Sequence, residues 1–311
     1  MHLEGAADPA FIRTLAAEKS LDISRIFDKN GNYKFDGFSE FLTVYENATQ
    51  ALQSPEDFKR LTQSVLENLA ENNVIYAEVF ISPDFCGDRD LGAWREYLAA
   101  MREAHVEGVT LKGIVTCIRH FGPEKAREAA LCAVETAGDW VVGFGMAGAE
   151  NFGRARDFSY SFDMAREAGL RLTSHAGEWC GAASVWETLK ELRVERIGHG
   201  VHSINDPKLV EHLAETGVAL EINPGSNVAL GVYPSWIDHP MKRLRDAGVK
   251  VTVSTDDPPF FGTTMTREFE ELESAYGWGI EDFKLLNETA LEVAFCDLAT
   301  KDVIAKRLEA L

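Results

Sequence analysis

The chain has 311 residues, 45% hydrophobic and 26% charged, an ordinary globular composition with enough length to bury a large core. Its formal net charge of −19 repels phosphate backbones and anionic surfaces. Neither nucleic acid nor a membrane is therefore expected as a partner, whereas a small neutral molecule is compatible. The five cysteines (Cys86, Cys117, Cys132, Cys180 and Cys296) are scattered and include no CxxC pair. This argues against a disulfide framework or a thiolate metal site, and for reduced thiols in the cytoplasm. No apolar run is long enough to span a bilayer, and the first residues lack the pattern of a signal peptide.

After Met1 the chain runs His2-Leu3-Glu4-Gly5. Asp28 to Asn32 hints at a calcium loop, but its glycine is misplaced and Ser39 stands where a bidentate Glu is needed, so a turn is expected. Phe38, Phe41 and Tyr45 fall on one helix face, with Phe35 just upstream. Ser54 can cap a helix that Pro55 starts, and Phe58, Leu61, Val65, Leu66 and Leu69 share one face of it. From there, short β-branched runs alternate with amphipathic helical patterns. The runs are 74–82, 110–119, 140–148, 170–175, 196–201, 218–223 and 249–255.

Strands alternating with helices predict parallel pairing through βαβ units. Seven strands plus one make a (β/α)8 TIM barrel, formed by a single domain over 1–311, with the first strand expected upstream of His2. A doubly wound open sheet is the structural alternative. Residues 143–148 match GxGxxG literally but lie within a strand and its end, which is the wrong context for a dinucleotide site.

A barrel gathers its chemistry at the C-terminal ends of its strands. Those ends carry Gly148-Ala149-Glu150, His175-Ala176-Gly177-Glu178, His199-Gly200-Val201-His202, the run Asn223 to Asn227, and Ser254-Thr255-Asp256-Asp257-Pro258. Closing the barrel would bring the first and last of the chain's motifs together. His2, His175 and Asp256 could then share one cation, and two imidazoles with a carboxylate suit zinc. Glu178, His199 and Asp257 remain for proton transfer and substrate contacts. Singly, each motif has a plainer reading: Asp-Asp-Pro is a common turn, and His105, His212 and His239 are assigned to structure or surface.

The ordered set HLEG, HAGE, GHG and STDDP resembles the adenosine deaminase family over nearly the whole chain. The resemblance implies a purine deaminase with one zinc ion per chain, held by His2, His175 and Asp256. It implies that Glu178 protonates the purine N1, that His199 orients the attacking hydroxide, and that Asp256 also accepts a proton. Asp257 would contact N7, the Gly148 N–H would contact N3, and Glu4 would reach the ribose side. The helix around Phe38–Tyr45 would cover the purine. The family pattern HxHLEG has a further zinc histidine one residue upstream of Met1. The first expectation for substrate is adenosine and 2′-deoxyadenosine. Adenine or a modified adenosine is the alternative, and an inactive binding barrel is the reading from another class.

Overall fold

The computed structural model describes residues 1–309. The helix foreseen after Ser54 spans Pro55–Glu71, and the Ser54 hydroxyl accepts the Asp57 N–H at 3.2 Å. Phe58, Leu61, Val65, Leu66 and Leu69 are all buried on its inner face. Asn73, with φ +57°, turns the chain out of the helix and towards the first complete strand.

Seven strands follow: β1 (Tyr76–Ile81), β2 (Thr110–Ile118), β3 (Val141–Ala147), β4 (Arg171–Ala176), β5 (Arg196–His199), β6 (Ala219–Ile222) and β7 (Val251–Val253). Six of them fall inside the runs read from the sequence, and β4 passes the end of its run by one residue, Ala176. They pair in parallel in the order β1-β2-β3-β4-β5-β6-β7, with helices in the crossovers. Sequential parallel order without reversal is the topology of a sheet curling towards a barrel; a doubly wound sheet reverses direction at its midpoint.

The place between β7 and β1 is filled only at the C-terminal rim. His2 bridges Phe80 in parallel, the Phe80 N–H donates to Met1 O at 2.9 Å, and the Leu3 N–H donates to Phe80 O at 2.9 Å. On the other side the His2 N–H donates to Asp256 O at 3.1 Å. Met1–Leu3 thus close the rim. Beneath them, between β1 and β7, lies a cavity of ≈ 310 Å³ lined by Tyr76, Glu78, Arg196, Glu221 and Thr252, which reaches His175 and Asp256 from below.

Two sequence features take their expected structural form. Residues 143–148 run through β3 and its end, not through a strand-to-helix phosphate turn. The Asp28 carboxylate accepts the N–H groups of Asn30 and Asn32 (2.8 and 3.0 Å), which makes the segment a side-chain-braced turn. Among the described residues, no helix is long and apolar enough to cross a membrane.

Candidate active site at the C-terminal rim

His2 comes from the chain start, His175 from the end of β4, and Asp256 from three residues beyond β7. His2 Nε2 lies 3.4 Å from His175 Nε2 and 3.5 Å from Asp256 Oδ1. One ligand atom from each of the three falls within 4.8 Å of the others. Burial, then the neighbouring imidazole, holds His2 well below the usual histidine range. Burial and His199 push His175 down to about 3, against the pull of Asp256. Both rings are therefore neutral and can offer lone pairs. Two facing neutral imidazoles beside a carboxylate form a donor set that fits a divalent metal such as zinc. Glu178, His199 and Asp256 form a second set of that span. It is the poorer site, because burial holds Glu178 in its neutral form.

The backbone is strained where the site needs it. His199 (φ +58°) and Asp256 (φ +60°) both adopt the left-handed conformation that non-glycine residues avoid. The surroundings hold Asp256 there. The Ser226 hydroxyl donates to Asp256 Oδ2 at 2.7 Å, and the adjoining Asp256 carbonyl takes the His2 N–H.

Glu178 is buried, and its carboxyl lies 3.7 Å from His199 Nδ1. Its loop is built around Glu150. That single carboxylate accepts the backbone N–H groups of Gly177, Glu178, Trp179 and Cys180 at 2.5–3.1 Å, and the Ser184 hydroxyl at 2.6 Å. So many donors hold Glu150 below the ordinary carboxylate range despite its burial. Its charge in turn helps, after burial and Asp256, to keep Glu178 well above that range. Glu150→Gln turns one acceptor into a donor facing N–H groups. It is expected to retain metal but lower kcat by about 10²-fold, since a displacement of an ångström has that effect. Steady-state kinetics beside a metal assay checks this; an unchanged kcat would mean the loop holds Glu178 without Glu150.

The run Asn223 to Asn227, noted in the sequence only as a strand end, supplies much of the site's support. The N–H of Gly225 donates to buried Glu268 at 3.1 Å, Ser226 binds Asp256, and the Asn227 amide lies 3.1 Å from His199 Nδ1. Asn227 also meets His239 at 3.1 Å. His239, read from the sequence as structural or surface, is buried and joined to the site. The one sequence signal was composition: three side-chain amides and hydroxyls in five residues at a strand end.

A cavity of ≈ 60 Å³ lies above these groups, lined by His2, His175, Glu178, His199, Asp256 and Asp257 on its polar floor, with Gly148 at its side. The helix Gly37–Thr49 covers it, placing Phe38, Phe41, Leu42 and Tyr45 over the opening. Phe85, Ile118 and Leu230 complete an apolar wall. Asp257 is buried, pushed well above the usual range by burial and by Asp256, and its Oδ1 has no hydrogen-bond partner among the described residues. Gly5 is there to admit it, because a Cβ at Gly5 would stand 1.5 Å from Asp257 Oδ1. Gly148 has φ +95°, and a Cβ on it would meet His120 Nδ1 at 2.7 Å, so only glycine fits that edge.

Glu4 departs from expectation. Its carboxylate accepts the Ser82 N–H at 3.0 Å, it is buried, and it does not line the cavity. Burial raises it to about 7. The polar pair on the outer wall, Glu46 and His120, is engaged with itself at 3.2 Å, and His120 Nδ1 accepts the Ala149 N–H.

Comparison with known proteins agrees with this geometry. The family model "Adenosine deaminase" matches residues 1–311. The chain is 45% identical over 312 residues to an adenine deaminase of Rhizobium rhizogenes (strain K84), covering 99% of this chain and 96% of that one. Among solved structures it resembles adenine deaminase from Arthrobacter aurescens, with a TM-score of 0.90, 28% identity and coverage of 100% of this chain and 96% of that one. It also resembles a zinc-bound amidohydrolase from Burkholderia ambifaria, with a TM-score of 0.86, 25% identity and coverage of 100% and 91%. A match over the whole length, on a fold that assembles these particular side chains, places the chain in the adenosine deaminase family as a metal-dependent deaminase hydrolase.

Proposed function

We propose that this protein deaminates adenine hydrolytically, giving hypoxanthine and ammonia. This replaces adenosine, the first expectation from sequence, with the alternative. The observation that carries the choice is the wall of the cavity. Phe38, Phe41, Leu42, Phe85, Ile118 and Leu230 offer a ribose nothing to bind, Glu4 is turned away towards Ser82, and Glu46 and His120 satisfy each other. Burying sugar hydroxyls without partners is costly, whereas a flat heterocycle suits such walls. The names of the relatives at 45% and 28% identity point the same way. The cavity is small even for one heterocycle, so the helix Gly37–Thr49 withdraws to admit substrate.

His2, His175 and Asp256 would hold the metal. When bound, zinc supplies Lewis acidity that lowers the pKa of a water molecule towards neutrality. Asp257, neutral and with a free oxygen, grips N7, and the Gly148 N–H faces N3. Neutral Glu178 gives its proton to N1 as a water oxygen bonds to C6. This proton keeps negative charge from building on the ring and stabilises the tetrahedral carbon. Asp256 takes the proton that the water loses and returns it to the amino group. The C6–N6 bond breaks and ammonia leaves; the C6 hydroxyl then gives its remaining proton to the Glu178 carboxylate, which restores the acid and leaves the neutral 6-oxo base. His199 faces the same oxygen and holds it in line.

The test is ammonia release by the zinc-loaded enzyme from adenine and adenosine in parallel. The expected kcat/KM ratio is about 10²-fold or more in favour of adenine, as unmatched polar groups give. Equal or better turnover of adenosine would overturn the substrate assignment, and release from neither would overturn the deaminase reading at this site.

A further inference from the structure

His199 is held by more than its neighbours in the cavity. Behind it runs a buried chain of polar groups that ends on a fixed donor. The Met241 backbone N–H donates to His239 Nδ1 at 3.2 Å. A backbone N–H can only donate, so Nδ1 of His239 is bare and the ring's proton sits on Nε2. Burial, which pushes His239 down to about 3, agrees with a neutral ring. His239 Nε2 lies 3.1 Å from Asn227 Oδ1, and a protonated nitrogen there requires that oxygen as its acceptor. The Asn227 amide is thereby oriented with Nδ2 towards His199 Nδ1, at 3.1 Å. Nδ2 can only donate. His199 Nδ1 must then be bare, and its proton is carried on Nε2, which faces Asp256 Oδ2 at 3.6 Å.

We propose that Asn227 and His239 are positioning residues that lock His199 in the Nε2–H tautomer, so that His199 serves the reaction as a hydrogen-bond donor and leaves the role of base to Asp256. The assignment of roles rests on the deaminase reading above, but the tautomer itself does not. Asn223 does not disturb the lock: its Nδ2 is 3.5 and 3.4 Å from the two ring nitrogens and favours neither. Tyr276, whose hydroxyl donates to the His239 carbonyl at 2.8 Å, braces the far end. All four side chains of the line from Asp256 to His239, with Asn227 and His199 between, are buried, so bulk water does not compete for these bonds. A wrong imidazole tautomer leaves geometry intact and removes turnover, which makes a tautomer lock worth several orders of magnitude in rate.

The deciding measurement is made on the wild-type zinc enzyme, labelled with ¹⁵N-histidine. Long-range ¹H–¹⁵N spectra distinguish a bare from a protonated ring nitrogen, and His199→Asn and His239→Gln samples assign the signals. The proton is expected on Nε2 of both His199 and His239. A proton on Nδ1 of His199 would overturn the proposal, whatever substrate the enzyme turns over. Asn227→Asp then places an acceptor where Nδ2 was. It is expected to move the His199 proton to Nδ1 and lower kcat by about 10²–10⁴-fold, with KM and zinc content little changed. His239→Gln, which can still donate to Asn227 Oδ1, should recover most of the kcat that His239→Leu loses. Unchanged tautomer and kcat in Asn227→Asp would also sink the idea. If that variant does not fold, the wild-type spectrum decides alone.

Discussion

Glu178→Gln is expected to fold, bind its metal and lose turnover by about 10³-fold, the middle of the range for a positioned acid. The glutamine keeps the size of the side chain and its place in the loop that Glu150 gathers. What it lacks is a proton that can be given to N1. Metal content and KM should move little, because neither depends on that proton. The pH profile follows from the direction of the shift. Burial first, then the charges of Asp256 and Glu150, raise Glu178 well above the ordinary carboxyl range. The protonated form is the working one, so kcat/KM is expected to hold through the ordinary carboxyl range and fall as pH rises through the raised value. The Gln variant should lack that limb. The shift also acts on stability: between the ordinary and raised pKa the folded state binds the extra proton, so this group's contribution weakens as pH rises. A Gln variant with full turnover would remove Glu178 from the chemistry.

Removing a metal ligand should be comparably severe but different in kind. His175→Ala is expected to abolish metal retention and, with it, turnover. Lewis-acid activation contributes several kcal/mol, and at about 1.4 kcal/mol per tenfold the loss is about 10³-fold or more. Chelation of the wild-type protein should reproduce the loss, and added zinc should reverse it there but not in the variant. Metal content by elemental analysis separates this outcome from that of Glu178→Gln. Retention of one tightly held ion in His175→Ala would show that the other buried set, Glu178, His199 and Asp256, is the true site.

The positions of Glu4 and His239 show why side-chain surroundings are not legible in the sequence. Glu4 sits in a recognisable motif and His239 does not, yet in both cases the outcome depends on a side-chain direction. Glu4 turns to the Ser82 N–H, whose place is set by the end of β1, 78 residues along the chain. His239 has no motif at all; it matters because Asn227 and the Met241 N–H lie on either side of its ring. Glu150 was visible as a strand-end residue, but four of its donors come from the turn after β4 and the fifth from Ser184 on the next helix, groups that meet it only once β3 and β4 are side by side.

Periodicity determined the strands and helices, because a parallel strand buried on both faces leaves an unbroken β-branched run and a surface helix leaves a 3.6-residue stripe. The order of those elements determined the parallel topology, and the motifs at strand ends determined which chemistry to expect: His2, His175 and Asp256 do converge, and Glu178, His199 and Asp257 do face the same cavity. Tertiary structure alone decided how the rim closes, through the backbone bonds of Met1–Leu3 to Phe80 and Asp256. It also decided which wall meets the far side of the substrate, and how a backbone N–H at Met241 dictates the proton on His199. Hydrogen-bond direction and side-chain packing depend on groups distant in the chain, and a local pattern carries no record of them.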